Sequence, residues 1–253
     1  MIVGNKYKII NKLGEGNFGT IFKGHNIRTG EEVAIKTEPL DSVSSILKKE
    51  AQIYQYIGKT PGFPQVKWFG VDDANRYMVI DLLGESISEQ IRRDGKIQLR
   101  KALQIGEQML DRIEALHGKK MIHRDIKPDN FLFGRGANKD TLHLIDFGFS
   151  KPYEDENGTH IGERNNRSLI GTPNFVSVRV KNGIEPSRRD DLESIIYVIM
   201  FMVKNEDQSN EVFSVLLCYI SQLEFSEKPD YDYIKKIINK YKLAEICYKL
   251  DLL

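Results

Sequence analysis

Residues His123–Asn130 read HRDIKPDN, and three of them carry side chains suited to one reaction. Asp125 can orient a hydroxyl and accept its proton. Lys127, two residues on, can offset negative charge growing on a transferred group, and Asn130 can hold a Mg²⁺ ion. Phosphoryl transfer asks for help of this kind, because it depends on positioning and charge neutralisation more than on covalent assistance. The competing reading is a surface loop rich in charge and proline. That reading leaves unexplained why partner motifs stand in the correct order on both sides.

The first partner is LGEGNFGTIFKG, Leu13–Gly24. Gly14, Gly16 and Gly19 have G-x-G-x-x-G spacing, which alone also marks dinucleotide-binding turns. A dinucleotide turn runs from strand into helix, whereas Thr20–Gly24 continues as strand with Ile21 and Phe22. The stretch therefore predicts a hairpin whose glycines let backbone N–H groups approach phosphates, with Phe18 capping them at the tip. Downstream, EVAIKT at Glu32–Thr37 sets Lys36 among Val33 and Ile35, a strand alternation that offers Lys36 to the α- and β-phosphates. Glu50 is the candidate ion-pair partner for Lys36, the alternative being an exposed helix face with Lys49. Asp146, in Asp146-Phe147-Gly148 after the apolar LHLI, is a carboxylate for Mg²⁺.

These residues must be positioned by regular elements. Strands are expected at Tyr7–Lys12, Thr20–Gly24, Glu32–Thr37, Gln65–Val71 and Tyr77–Leu82. A helix is expected over Ser44–Ile57, capped by Ser44 or Ser45, with Tyr54 one turn beyond Glu50 and directed toward Phe147. Asp81–Leu83 would form a hinge where an adenine ring bonds to backbone groups, with Ile80 at the back of that pocket. From Ser86 the pattern turns helical. Leu99–His117 is amphipathic and leads into His123–Asn130, and Leu142–Ile145 is a short strand. Lys151–Ser177 is polar and irregular. Ser187–Val203 reads as a buried helix whose Asp191 accepts hydrogen bonds from the His123–Asn130 backbone, and Val212–Leu223 and Ile234–Leu250 are closing helices.

The 253 residues, 40% hydrophobic, suffice for one large domain or two lobes. A net charge of +1 gives no bulk attraction to nucleic acid or anionic membrane. Cys218 and Cys247 are too few for a disulfide framework and read as small core residues. Met1–Lys12 lacks an apolar signal core, and the run Ile195–Val203 is too short to span a bilayer. A cytoplasmic or nuclear monomer is expected.

Together the motifs resemble a protein kinase, and three longer stretches resemble the casein kinase I family of Ser/Thr kinases: LIDFGFSKPY at Leu144–Tyr153, HIGERNNRSLIGT at His160–Thr172 and GIEPSRRDDLES at Gly183–Ser194. NFLFG after the catalytic loop and LEFSEKPDYDYI at Leu223–Ile234 also match, and the likeness runs from Tyr7 to about Tyr241. It implies an α+β, two-lobed kinase fold: a small β-rich N-lobe with hinge at 1–83 and a larger, mainly helical C-lobe at 84–253. It implies Mg²⁺-ATP as cofactor, with Asp125, Lys127 and Asn130 catalytic and Asn130 and Asp146 holding metal. The nucleotide would contact Leu13, Gly14, Glu15, Gly16, Asn17, Phe18, Gly19 and Ile21 of the hairpin. It would also contact Ala34, Lys36, Glu50, Ile80, Asp81 and Leu83. The implied reaction is γ-phosphate transfer to Ser/Thr of protein substrates with acidic or phosphorylated residues upstream, without phosphorylation of the activation segment, Lys151–Ser177, as a prerequisite.

Three departures from that family stand out. Lys204–Asn210 is a short polar link where relatives carry a longer basic segment, Asn174 replaces an Arg, and the chain ends at Leu253 without a regulatory tail. Relatives read a phosphate three positions before the target with that Arg and a Lys of the missing segment. Arg179, Lys181, Arg188 and Arg189 are candidates to rebuild the pocket. The alternative function is a catalytically inactive kinase-fold scaffold, which predicts loss of Lys36, Asp125, Asn130 or Asp146; all four are present. A dinucleotide-binding protein is a remote third reading.

Overall fold

Val33 and Ile35 alternate along β4 (Glu32–Pro39) and are fully buried, as a strand with one face on a core requires. They cluster with Val3, Tyr7, Tyr77 and Val79, with Ile9, Phe22 and Trp68 packed against the group. The computed structural model describes residues 1–16, 19–42, 45–203 and 210–250, with the side chains of all of these except 210 and 244–250. It divides into two compact units: Met1–Gly84 with Leu132–Gly148, and Glu85–Phe131 with Phe149–Leu253.

The first unit is built on an antiparallel six-stranded sheet. Its strands are β1 (Ile2–Val3), β2 (Tyr7–Gly16), β3 (Gly19–Asn26), β4, β5 (Val66–Val71) and β6 (Asn75–Asp81), in the order β1-β2-β3-β4-β6-β5. The expected strands are all present. β2 runs further than its alternation indicates, through Gly16, because β3 pairs with it as far as Gly16↔Gly19. β1 is too short to carry a periodic signal. Helix α1 (Ile46–Ile57) buries Leu47, Glu50, Ala51, Tyr54 and Ile57.

The first residue of α1 follows Ser45, whose side chain makes no capping bond, contrary to expectation; Ser44 lies outside the described residues. The cap comes instead from the preceding strand, β4. The Glu38 Oε1 atom accepts the Ile46 and Leu47 N–H groups at 3.0 and 3.3 Å.

The second unit is helical: α2 (Ile87–Asp94), α3 (Leu99–Gly118), α4 (Val178–Lys181), α5 (Arg188–Met202), α6 (Asn210–Gln222) and α7 (Tyr231–Leu250). Ser86 caps α2 through a reciprocal box with Glu89. α3 packs on α5 and α7, and α5 on α6. α5 is buried over most of its surface, as its apolar run predicts, although Met200 and Phe201 are partly exposed. The ribbon β7 (Met121–Ile122) and β10 (Lys151–Pro152) brackets the catalytic loop. β8 (Phe131–Phe133) pairs with β9 (Leu142–Leu144).

Leu132–Gly148 makes its contacts within the first unit. Leu144 N–H donates to Gly62 O, and Phe147 is buried between Tyr54 and Phe63. Cys218 is exposed rather than a core residue, because it lies on the outer side of α6 while Val212, Phe213, Leu216 and Ile220 face inward. The Cys247 side chain and the link 204–209 lie outside the described residues. Among the described residues, no helix is long and apolar enough to cross a membrane.

Candidate active site

In the first unit, strand register gathers the predicted nucleotide-contacting residues on one face. Ile21 pairs with Lys36, Lys36 with Met78, and Ala34 with Ile80. Directly opposed residues point to the same side of a sheet, as do residues two apart on one strand. Lys36, Ala34, Ile21 and Ile80 therefore share a face, opposite the apolar cluster of Val33 and Ile35.

The hairpin supplies the next part. Gly14 pairs with Ile21 and Gly16 with Gly19. A Cβ at Gly19 would stand 1.7 Å from Thr37 O, so the fold itself demands glycine there. A Cβ at Gly14 or Gly16 would meet no protein atom within 4 Å. The fold does not require glycine at those two places, whereas close approach of a phosphate to the backbone does. This cradle fits a nucleotide triphosphate. Leu13 is exposed, and Glu15 is bonded to Lys12. Asn17 and the capping residue Phe18 lie outside the described residues.

Lys36 Nζ lies 2.6 Å from Glu50 Oε2 and 3.4 Å from Asp146 Oδ1. The expected ion pair with Glu50 is thus formed, and Glu50 is 1% exposed. Burial alone would lower the Lys36 pKa; the Glu50 and Asp146 carboxylates outweigh it and raise it, so the ammonium stays charged. Tyr54 packs edge-on against Phe147 at 4.8 Å, as its place on the Glu50 face predicts, and its hydroxyl also accepts the Asp146 N–H at 3.3 Å. Asp146 has φ 65°, a region costly for a non-glycine residue and held here by Tyr54 and Lys36. At the end of β6, the Asp81 carboxylate accepts Gln65 N–H and pairs with Lys67 at 2.8 Å, so its side chain is already engaged. Leu83 is half-buried, and Gly84 N–H donates to Phe133 O at 2.7 Å.

In the second unit, Asp125 is 3% exposed and stands at the centre of the catalytic loop. Its Oδ2 accepts Lys127 Nζ at 2.7 Å, and its Oδ1 accepts the Thr172 hydroxyl at 2.8 Å. Asn130 Nδ2 donates to Asp125 O at 2.9 Å, which leaves the Asn130 amide oxygen for a cation. The loop hangs from α5. Asp191 Oδ2 accepts His123 N–H at 2.7 Å and Oδ1 accepts Arg124 N–H at 2.9 Å, the role expected for it. Behind Asp191, His117 Nε2 lies 3.0 Å from Oδ2 and Nδ1 2.6 Å from the Tyr231 hydroxyl.

Sequence reasoning did not single out Thr172, Glu38 or His117 for these positions. Thr172 closes the stretch HIGERNNRSLIGT, which was visible only as a block. Glu38 lies in the strand before α1 and matches no capping spacing, and the partners of His117, Asp191 and Tyr231, lie far along the chain.

A model of the protein kinase domain matches residues 7–215. The match spans every residue placed above in the nucleotide-facing sheet and the catalytic loop, and the chain belongs to the protein kinase family.

Proposed function

We propose that this kinase transfers phosphate to Ser and Thr hydroxyls of proteins and is of casein kinase I type. The observation carrying this reading is Asp125, whose two carboxylate oxygens are held apart by different groups: Lys127 on one and Thr172 on the other. Lys127 is poised to accompany charge onto the transferred group while Asp125 receives the hydroxyl proton. Thr172 fixes the carboxylate's rotation and ties the activation segment to it. ATP would supply the phosphoryl group and Mg²⁺ would neutralise its oxygens; in the first unit Gly14, Gly16 and Lys36 suit the phosphates and Asp146 suits a cation, and in the second unit the Asn130 oxygen is a cation ligand by its chemistry. The family-like stretches at 144–153, 160–172 and 183–194 support the finer assignment. The presence of Lys36, Asp125, Asn130 and Asp146 weighs against an inactive scaffold.

Activity without phosphorylation of the activation segment is part of the same reading. Glu185, 3% exposed, receives both Lys151 and Arg167, the latter at 3.1 Å, and Glu185 N–H donates to Arg164 O. Arg124, the Arg of H-R-D, donates to Phe149 O. A built-in carboxylate thus occupies cations that a loop phosphate would otherwise recruit.

Radiolabelled γ-phosphate transfer to casein tests the assignment, with phosphoamino-acid analysis of the product. Phosphoserine and phosphothreonine without phosphotyrosine are expected. Phosphatase-treated enzyme should act from its first turnovers; a lag abolished by autophosphorylation would contradict the Glu185 argument, and absence of transfer would overturn the assignment.

A further inference from the structure

The second unit contains a cavity of about 310 Å³ that the phosphotransfer site does not use, lined by His117, Lys120, Tyr153, Arg188, Lys228 and Tyr231. Its volume lies at the lower end of the range for small-molecule pockets. Arg188, the first residue of α5, is 7% exposed. Its guanidinium stacks 4.4 Å from the Tyr153 ring centroid, Nη2 donates to Ser226 O, and Nε has no partner. No described carboxylate pairs with it. Buried charges ordinarily have a counter-charge, because desolvation without one is costly.

The rest of the lining does not provide that counter-charge. Its one carboxylate, Glu114, is paired with Lys235 at 2.7 Å. Lys120 is balanced by Glu154 at 2.9 Å. Lys228 is exposed and forms no ion pair among the described residues. Two uncompensated cations remain, one a planar fork and one a mobile point charge. A phosphate monoester has about two negative charges at neutral pH and suits both kinds of donor.

We infer that this cavity binds the phosphate group of a small phosphorylated molecule, with Arg188 and Lys228 as its cations. The cavity wall is wired to the catalytic loop: Tyr231 hydroxyl to His117, His117 to Asp191, and Asp191 to the His123 and Arg124 N–H groups. A ligand that shifts Tyr231 or His117 acts on the support of Asp125. That consequence rests on the phosphotransfer reading, whereas binding itself does not.

The five histidines make a local test practical. The full chain, labelled with ¹³C-histidine, is titrated with pyrophosphate and with inorganic phosphate in EDTA, with sodium chloride at matched ionic strength as control. The His117 ring signal should shift saturably, while His25 and His143 of the first unit stay in place. Lys228→Ser should weaken binding about tenfold, the effect of one charge-assisted hydrogen bond, and Arg188→Lys should weaken it at least as much. Lys228 is exposed, so its replacement decides the matter even if the Arg188 variant does not fold. The proposal is overturned if chloride reproduces the shift, if none saturates by tens of millimolar, or if Lys228→Ser leaves the affinity unchanged.

Discussion

Lys36 and Glu38 stand two residues apart on β4 and hold helix α1 at two points: Lys36 through Glu50 within the helix, and Glu38 through the Ile46 and Leu47 N–H groups at its start. Glu38 is 1% exposed, and Arg76 Nη1, 3.2 Å from its Oε2, balances its charge. The α1 first turn has no acidic residue and no capping serine bond, so Glu38 is its main terminal support.

Glu38→Ala should therefore cost about 1–2 kcal/mol for the lost cap, and more because Arg76 loses its carboxylate. Freed at its start, α1 should hold Glu50 less firmly against Lys36, and kcat/KM for ATP should fall about tenfold, or about 1.4 kcal/mol. Glu38→Gln keeps an acceptor and should fall between. Hydrogen exchange at Ile46 and Leu47 is the direct check. Unchanged protection of those two amides in Glu38→Ala would refute the capping role.

Asp125→Asn and Asp146→Asn should both remove most phosphotransfer, by different routes. The first loses the group proposed to orient the hydroxyl, which pairs with Lys127, a loss of about 10²–10⁴ in kcat. The second removes the carboxylate proposed for the cation and one of the two anions facing Lys36. Calorimetric titration with ATP and Mg²⁺ separates them: affinity should survive in Asp125→Asn and weaken in Asp146→Asn. Near wild-type turnover in either variant would sink the corresponding role.

His117 gives the second unit a pH-dependent stability. Burial, the largest influence, holds its pKa below the ordinary 6.5, and the Asp191 carboxylate offsets this only in part. The unfolded chain therefore takes up the proton first as pH falls. The stabilisation is fully present above pH 6.5 and is lost as pH drops from there through the depressed folded value. Thermal unfolding between neutral and mildly acidic pH should show Tm falling, with a smaller fall in His117→Gln. Equal slopes for the two proteins would contradict a buried neutral imidazole.

Much of the nucleotide-facing half was legible because its information is local. Val33 and Ile35 repeat at a period of two, which leaves Lys36 on the other face, and Glu50 and Tyr54 fall one helical turn apart, so alternation and spacing already sorted these residues by face. The Asp191 contact with the catalytic loop was expected from its place near the start of the buried helix Ser187–Val203. Glu38 as a cap was not, since its carboxylate reaches Ile46 across the β4–α1 connection and Arg76 through sheet register, neither of which shows as a periodic spacing. The contacts of Leu144 with Gly62 and of Phe147 with Phe63 were not legible for a similar reason, since Gly62 and Phe63 lie far upstream. Cys218 shows the limit of residue type, because a cysteine's usual burial yields to the side of α6 on which it falls.

The neighbours of Asn174 narrow its expected effect on substrate choice. Of the four cations that could restore a phosphate pocket, Arg179 is engaged by Asp190 at 3.1 Å and Glu193 at 2.8 Å. Arg189 is engaged by Glu163 at 2.7 Å and Leu223 O at 2.9 Å, and Arg188 belongs to the cavity beside Tyr153. Only Lys181 lines the same cavity of about 460 Å³ as Asn174, joined there by Lys96, which the sequence did not suggest. Its Nζ lies 5.8 Å from the Tyr197 ring centroid, an attraction that a bound phosphate would have to outcompete. Two lysines offer point charges without the bidentate fork of an arginine. A phosphoserine three residues before the target should therefore improve kcat/KM over serine by about tenfold, the effect of one charge-assisted contact. Asn174→Arg should increase that preference, and Lys181→Ala should reduce it. Matched peptides bearing phosphoserine, Asp or Ser at that position provide the measurement. A preference of about a hundredfold or more in the unaltered enzyme, two charged contacts' worth, would mean that the pocket survives without the arginine.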